Sequence, residues 1–227
     1  MRFPSPAAPL VLIATAFLLS WSLAGGHSAE HPELPPAAVD LPKADAGATR
    51  TAVVGGGCFW CVEGVFAELA GVTEVVSGYA GGTAETATYE KSHDSAHAEA
   101  VRITYDPAVL SYGELLRVLF TAGDPTSANG QQPDYGPQYR MVVFHADEDE
   151  KRVAEAYIRQ LTEAEVFAKP IVVTVEPMPH GFFPAEDYHQ DFAARHPDNA
   201  YVCRWSKPKI DRIRAAFPAL VKPGAGK

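Results

Sequence analysis

The stretch Thr51–Phe66, TAVVGGGCFWCVEGVF, changes its period in mid-course. Ala52, Val53 and Val54 read as a short buried strand, and Gly55, Gly56 and Gly57 follow. From Cys58 onward the apolar residues Val62, Val65, Phe66 and Leu69 recur at the spacing of a helix lying on a core, until Gly71 ends the segment. The remaining chain continues the alternation. VTEVVSGYAGG is a second strand, and AEAVRITYD is a third, in which Val101, Ile103 and Tyr105 alternate with Arg102 and Thr104. Ser111 followed by Glu114 is a capping-box signal for a helix over YGELLRVLFTAG. YRMVVFHA gives a fourth strand, EDEKRVAEAYIRQLTEAEVF a long helix begun by Asp147, and PIVVTVEP a fifth strand. Strand-helix-strand-strand-helix-strand is the split βαβ order of a ferredoxin-like α+β fold. The expected architecture is that core with a mixed sheet, flanking helices and a loop-rich C-terminal tail.

With 227 residues, 47% of them hydrophobic, the chain can bury one good core. Its beginning has a different grammar. Arg2 precedes the apolar run APLVLIATAFLLSWSLAG, which closes on small residues, so residues 1–24 read as a secretory signal peptide. The alternative is an uncleaved membrane anchor, since the run approaches spanning length. Either way the domain is expected outside the cytoplasm, in the periplasm or secreted, with no stable membrane interaction once the leader is removed. Residues 25–50, rich in Pro and Ala without periodicity, read as a flexible linker, leaving residues 51–227 as the domain. The formal net charge of −9 argues against nucleic acid or an anionic membrane as partner.

Two of the three cysteines, Cys58 and Cys61, flank Phe59 and Trp60 at the strand-to-helix turn. Unpaired backbone N–H groups at the helix start favour an anion, so Cys58 is expected to be a nucleophile with a lowered pKa. Cys61, one turn on, is within reach for a redox disulfide. Zinc would need three or four ligands, and only Cys203 remains, with eight histidines showing no ligand spacing around it. Cys-x-x-Cys at a helix start is also the signature of thiol-disulfide exchangers. Those usually carry Trp before the first cysteine, whereas here the two aromatics lie inside the pair and read as pocket walls for an apolar group. A second cluster, TYEKSHDSAHAEAVRITYDP, contains Tyr89, His97 and Glu99, with Glu99 at the start of a buried strand. Burial there raises a carboxyl pKa and suits a general acid. QQPDYGPQYRMVVF adds Asp134 and Tyr139 at the mouth of the fourth strand.

Together these residues resemble the peptide methionine sulfoxide reductase A family. The matching pieces are GGGCFWCVE, GVTEVVSGYAGG, TYEKSHDSAHAEAVRITYDP, DPTSANGQQPDYGPQYR, FFPAEDYHQDF and PDNAYVCRWSKPKI, in family order from about Thr51 to Phe217. The resemblance implies that Cys58 attacks the sulfur of a methionine sulfoxide of the S epimer while Phe59 and Trp60 enclose its methyl group. Glu99 would protonate the sulfoxide oxygen, Tyr89 and Tyr139 would hydrogen-bond it, and Asp134 would help arrange the site. Cys58 would be left as a sulfenic acid. The implied resolving thiol is Cys61, with Cys203 a rival, a relay or an inert core residue. Neither metal nor organic cofactor is implied; the disulfide would be reduced by an external dithiol of the thioredoxin type, and the substrates are oxidised proteins or peptides and, as an open question, free methionine sulfoxide. Ser95, Ala96, Gly130, Tyr135 and Pro137 depart from common family residues, which bears on the pocket rim. Two other functions use part of the same residues: an exported thiol-disulfide exchanger, indifferent to Glu99, and a non-catalytic binding module held by a Cys58–Cys61 disulfide.

Overall fold

Val53 and Val54 are buried in two different apolar clusters on opposite faces of one sheet, which makes β1 (Arg50–Gly56) a central strand. The computed structural model describes residue 1, residues 32–42, residue 44 and residues 47–224. Apart from Met1, the expected signal peptide lies outside the described residues. After β1 come α1 (Phe59–Ala67), β2 (Val72–Ala80), the short α2 (Tyr89–Ser92), β3 (Ala98–Tyr105) and α3 (Tyr112–Ala122). The small hairpin β4 (Gly130–Gln131) and β5 (Asp134–Tyr135) leads to β6 (Met141–His145), α4 (Glu148–Glu163), β7 (Thr174–Pro177) and β8 (Phe182–Pro184). The tail carries α5 (Phe192–Arg195) and a π-helical stretch, Val202–Ser206, that runs into α6 (Lys207–Ala216). Among the described residues no helix is long and apolar enough to cross a membrane.

The large sheet has the order β7-β6-β1-β3-β2-β8. Its inner four strands, β6-β1-β3-β2, are antiparallel neighbours and form the expected split βαβ core. β7 joins parallel to β6, so the sheet is mixed. Residues of α1, α3, α4 and α6 share one core with Val54, Val101, Ile103 and Val143. Both expected caps are in place. Ser111 and Glu114 close a reciprocal capping box at 3.2 and 2.8 Å, and Asp147 accepts from the N–H groups of Asp149 and Glu150 at 2.9 Å.

Three features differ from the sequence reading. The long helix stops at Glu163 rather than running through Phe167. The fifth strand pairs only over Thr174–Pro177, because the N–H of Val172 is diverted to the carbonyl of Pro125 at 2.9 Å. The third is the segment expected to be a flexible linker, whose residues 34–41 form a strap docked on α3 and α4. Leu34 is buried in the main core. Its carbonyl accepts from Arg117 Nε at 2.6 Å, that of Pro35 from the Tyr157 hydroxyl at 2.9 Å, and that of Pro36 from Gln160 Nε2 at 2.9 Å. Asp40 accepts from the N–H of Gly113 at 2.9 Å. A Pro-rich segment without periodicity can still order itself when its unpaired carbonyls meet side-chain donors.

Candidate active site

The C-terminal end of β1 delivers Cys58 to the start of α1, where the Cys58 carbonyl accepts from the N–H groups of Cys61 (3.0 Å) and Val62 (3.3 Å). The turn depends on Gly57, whose φ of +93° is left-handed and whose missing Cβ would stand 2.6 Å from Gln131 Cβ. Gln131 is itself clamped to the backbone of Asp124 by two hydrogen bonds of 2.7 and 2.8 Å. Thus the β4–β5 hairpin, which carries Asp134, is moulded directly onto the cysteine turn.

Glu99 enters from β3. It is 2% exposed, and its Oε2 accepts from the N–H of Phe59 at 3.0 Å. Burial, opposed by that hydrogen bond and reinforced by the charges of Asp134 and Cys61, pushes its carboxyl up to about 8. The expected buried acid is therefore present, and it is protonated at neutral pH. Tyr89, at the start of α2, and Tyr139, just before β6, both feel the charges of Glu99, Asp134 and Cys58. Burial in the first place, and Glu99 next, raise both phenols, so they remain hydrogen-bond donors. Tyr89 is held by Glu186, which accepts from its N–H and from the Tyr79 hydroxyl, each at 3.0 Å. Arg140 fixes the Tyr139 turn by donating to the carbonyls of Ala96, His97 and Pro137 and by pairing with Glu176 at 2.9 Å. His97, singled out beside Glu99 in the sequence, has a structural job. Its Nδ1 accepts from the N–H of Gly82 at 3.2 Å and its Nε2 meets the carbonyl of Thr83 at 3.0 Å.

The cysteines differ from the sequence reading in one respect. Burial first, then the neighbouring Cys61 and Glu99, push the Cys58 thiol up against an opposing hydrogen bond from Tyr201, where the sequence reading expected it lowered. Its partner Cys61 is drawn down, first by its interaction with Cys58, then against its own burial by Lys209 and the hydroxyls of Ser206 and Tyr201. Ser206 Oγ lies 3.2 Å from Cys61 Sγ. The two buried thiols are thus inequivalent, Cys61 being the more acidic of the pair. All three cysteines are free, and Cys203 is exposed rather than part of the core, its Sγ 3.2 Å from the Pro197 carbonyl. Among the described residues no group of three or more His, Cys, Asp or Glu could hold a metal ion.

Phe59 and Trp60 form the aromatic wall. Trp60 Nε1 donates to His189 Nδ1 at 3.1 Å, and its ring stacks on Phe192 at a centroid distance of 3.6 Å and an angle of 7°. His189 also lies 4.8 Å from the rings of Phe59 and Tyr89. Tyr201 closes the far side, its hydroxyl donating a short hydrogen bond to Asp134 Oδ2 and approaching Cys61. Sequence reasoning gave no role to His189, Glu186, Phe192 or Tyr201. They stand in the quoted pieces FFPAEDYHQDF and PDNAYVCRWSKPKI, and only the folded tail shows what they touch.

Two buried thiols, a buried carboxyl, two phenols and an aromatic wall form a combination that a family model can test. The model described as peptide methionine sulfoxide reductase matches residues 50–219. The chain belongs to the peptide methionine sulfoxide reductase family. The peptide methionine sulfoxide reductase MsrA of Natronomonas pharaonis is 47% identical over 175 residues, 76% of this chain and 98% of that protein. A counterpart in Thermus thermophilus is 47% identical over 174 residues, 76% of this chain and 97% of that protein. Among solved structures, methionine sulfoxide reductase A of Corynebacterium diphtheriae is similar with a TM-score of 0.57 and 31% identity, over 78% of this chain and 88% of that one. Reduced Mxr1 of Saccharomyces cerevisiae gives a TM-score of 0.59 and 26% identity, over 68% of this chain and 90% of that one. The family match spans the sheet, the helices and every site residue named above.

Proposed function

We propose that this protein reduces the S epimer of methionine sulfoxide in oxidised proteins to methionine, with Cys58 as nucleophile and Glu99 as acid. The observation that carries the roles is the meeting, in a member of this family, of a buried carboxyl and a buried thiol at the same helix start. The S-methyl group rests against Phe59 and Trp60, and Tyr89 and Tyr139 donate to the sulfoxide oxygen. Sulfoxide oxygen leaves sulfur only once it is protonated. Glu99 supplies that proton, while Cys58 passes its own to the paired Cys61 and attacks sulfur as the thiolate. Attack forms a bond between Cys58 Sγ and the methionine sulfur; the protonated oxygen then moves from that sulfur to Sγ as the new S–S bond breaks, methionine departs with the bonding pair, and Cys58 is left as a sulfenic acid. Asp134, through Tyr201, holds the thiol side of the site in register.

Cys61 then attacks the sulfenic sulfur, releasing water and leaving a Cys58–Cys61 disulfide. Support comes from its burial beside Cys58 and from the exposure of Cys203, whose thiol is turned to the Pro197 carbonyl. A thioredoxin-type dithiol completes the cycle. Arg2 and the apolar run after it support export, so we place that reductant outside the cytoplasm, with an uncleaved anchor as the alternative. The test is turnover of each epimer of a methionine sulfoxide peptide with dithiothreitol. Reduction of the S epimer alone, lost in Cys58→Ser, is expected. A folded, reduced wild type that turns over neither epimer overturns the reading.

A further inference from the structure

Behind the Trp60 wall lies a buried carboxyl that the reaction leaves idle. Glu63 follows Trp60 by one helical turn on α1, is 2% exposed, and neither of its carboxyl oxygens has a hydrogen-bond partner. Ser77 on β2 is fully buried, and its hydroxyl is likewise unpartnered. The polar groups facing the Glu63 carboxyl are the backbone N–H groups of Asp191 and Phe192 and the Ser77 hydroxyl, with the Asp191 carboxylate beyond them. Burial pushes this carboxyl up to about 7.

These contacts converge on one turn. Asp191 adopts the left-handed conformation, with φ of +53°, which aspartate tolerates better than most non-glycine residues and which turns the chain sharply here. On one side of it, His189 accepts the Trp60 indole N–H; on the other, Phe192 stacks on the indole face. Gln190, between them, is bound to the N–H of Ser77 at 2.9 Å and to the carbonyls of Ser77 and Ala185 at 3.0 and 2.9 Å. Two of the contacts that orient Trp60 therefore hang from a turn backed by Glu63, the third being the edge of Tyr201 at 5.7 Å.

We infer that Glu63 is a positioning residue that receives the Asp191–Phe192 backbone and, through His189 and Phe192, sets the width of the slot between Trp60 and the reacting sulfur. This rests on the reading that Trp60 encloses the S-methyl group. A slot of fixed width admits methyl and resists longer alkyl groups, and one added methylene in a fitted apolar pocket costs roughly 10- to 200-fold in kcat/KM.

The test compares the S epimers of N-acetyl methionine sulfoxide and N-acetyl ethionine sulfoxide on the full chain, with dithiothreitol as reductant. The wild type is expected to prefer methyl by about tenfold or more. Glu63→Ala is expected to lower that preference at least about fivefold, through a higher KM for the methyl substrate and an unchanged single-turnover rate at saturation. Glu63→Gln, which keeps the length of the side chain and presents an amide oxygen toward the same two N–H groups, is expected to keep the wild-type preference. If Glu63→Ala does not fold, Glu63→Asp, which withdraws the carboxyl by one methylene, is expected to show the same loss. A folded Glu63→Ala or Glu63→Asp with the wild-type preference overturns the role of Glu63, and so does a Gln variant no better than Ala. A wild type indifferent to methyl and ethyl, and unchanged by Trp60→Leu, overturns the methyl-slot reading and the role of Glu63 with it.

Discussion

The backbone N–H of Phe59 donates to Glu99 Oε2 at 3.0 Å, so the residue after Cys58 holds one oxygen of a buried carboxyl. On the proposed mechanism the other carboxyl oxygen is the one that delivers the proton. Glu99→Gln is expected to lower the sulfoxide-reduction step by about 10²- to 10⁴-fold, the range of a lost general acid, as read by single-turnover kinetics.

The same carboxyl predicts a pH dependence. Its folded-state pKa is raised to about 8, so the rate of sulfoxide reduction is expected to fall as pH rises through that value. The raised pKa also means that the stability associated with the neutral acid is present below the ordinary carboxyl range and lost as pH climbs to about 8. Glu99→Gln, always neutral, is expected to melt above the wild type at pH 9, while the two converge at pH 5. A wild-type Tm that does not fall relative to the variant over this range counts against a neutral Glu99.

The thiols predict a split. Cys58→Ser is expected to reduce nothing. Cys61→Ser is expected to release one equivalent of methionine and stop, with a sulfenic acid that dimedone traps on Cys58. Cys203→Ser is expected to turn over at the wild-type rate with a dithiol reductant. Mass spectrometry of each variant after one turnover distinguishes these outcomes, and a trapped sulfenic acid in Cys203→Ser would move the resolving role to that residue.

The indole clamp is also testable. Losing one neutral hydrogen bond costs about 0.5–1.5 kcal/mol, so His189→Ala is expected to raise KM roughly two- to tenfold. His189 has its pKa lowered by burial, hence it accepts from Trp60 as the neutral ring. Acidification that protonates Nδ1 removes that acceptor, and KM is expected to rise below the ordinary histidine range in the wild type but not in His189→Ala.

The docked strap predicts a stability effect apart from activity. Removing residues 1–46 deletes the Leu34 anchor and the hydrogen bonds to Arg117, Tyr157, Gln160 and Gly113, whereas removing residues 1–31 spares them. Burial of one Leu is worth about 1.5–3 kcal/mol. The longer truncation is expected to unfold at lower urea with kcat/KM preserved; equal midpoints for the two truncations contradict a stabilising strap.

Much of this is legible in the sequence because strand and helix periods and caps are local signals. The runs around Val53, Ile103 and Val142 and the caps at Ser111 and Asp147 each declare themselves within a few residues. The short pairings are not legible: Phe182–Pro184 and the Gly130–Tyr135 hairpin are too brief for a period to register. Nor are relations between distant residues. Tyr201 meets Asp134 across 67 positions and His189 meets Trp60 across 129, so composition around either partner holds no trace of the other. The raised Cys58 thiol escapes a sequence reading for the same reason, since the burial that pushes it up is tertiary.

The empty place at Gly57 reaches further than its own turn. Because hydrogen is all that separates its α-carbon from the Gln131 side chain, the peptide leading to Cys58 and the hairpin bearing Asp134 rest against each other with no compressible atom between them. A displacement of either is passed to the other nearly undiminished. The active site thus carries its own gauge block: the spacing between its two halves is set where the Gly57 backbone meets the Gln131 side chain, itself pinned by two hydrogen bonds to Asp124.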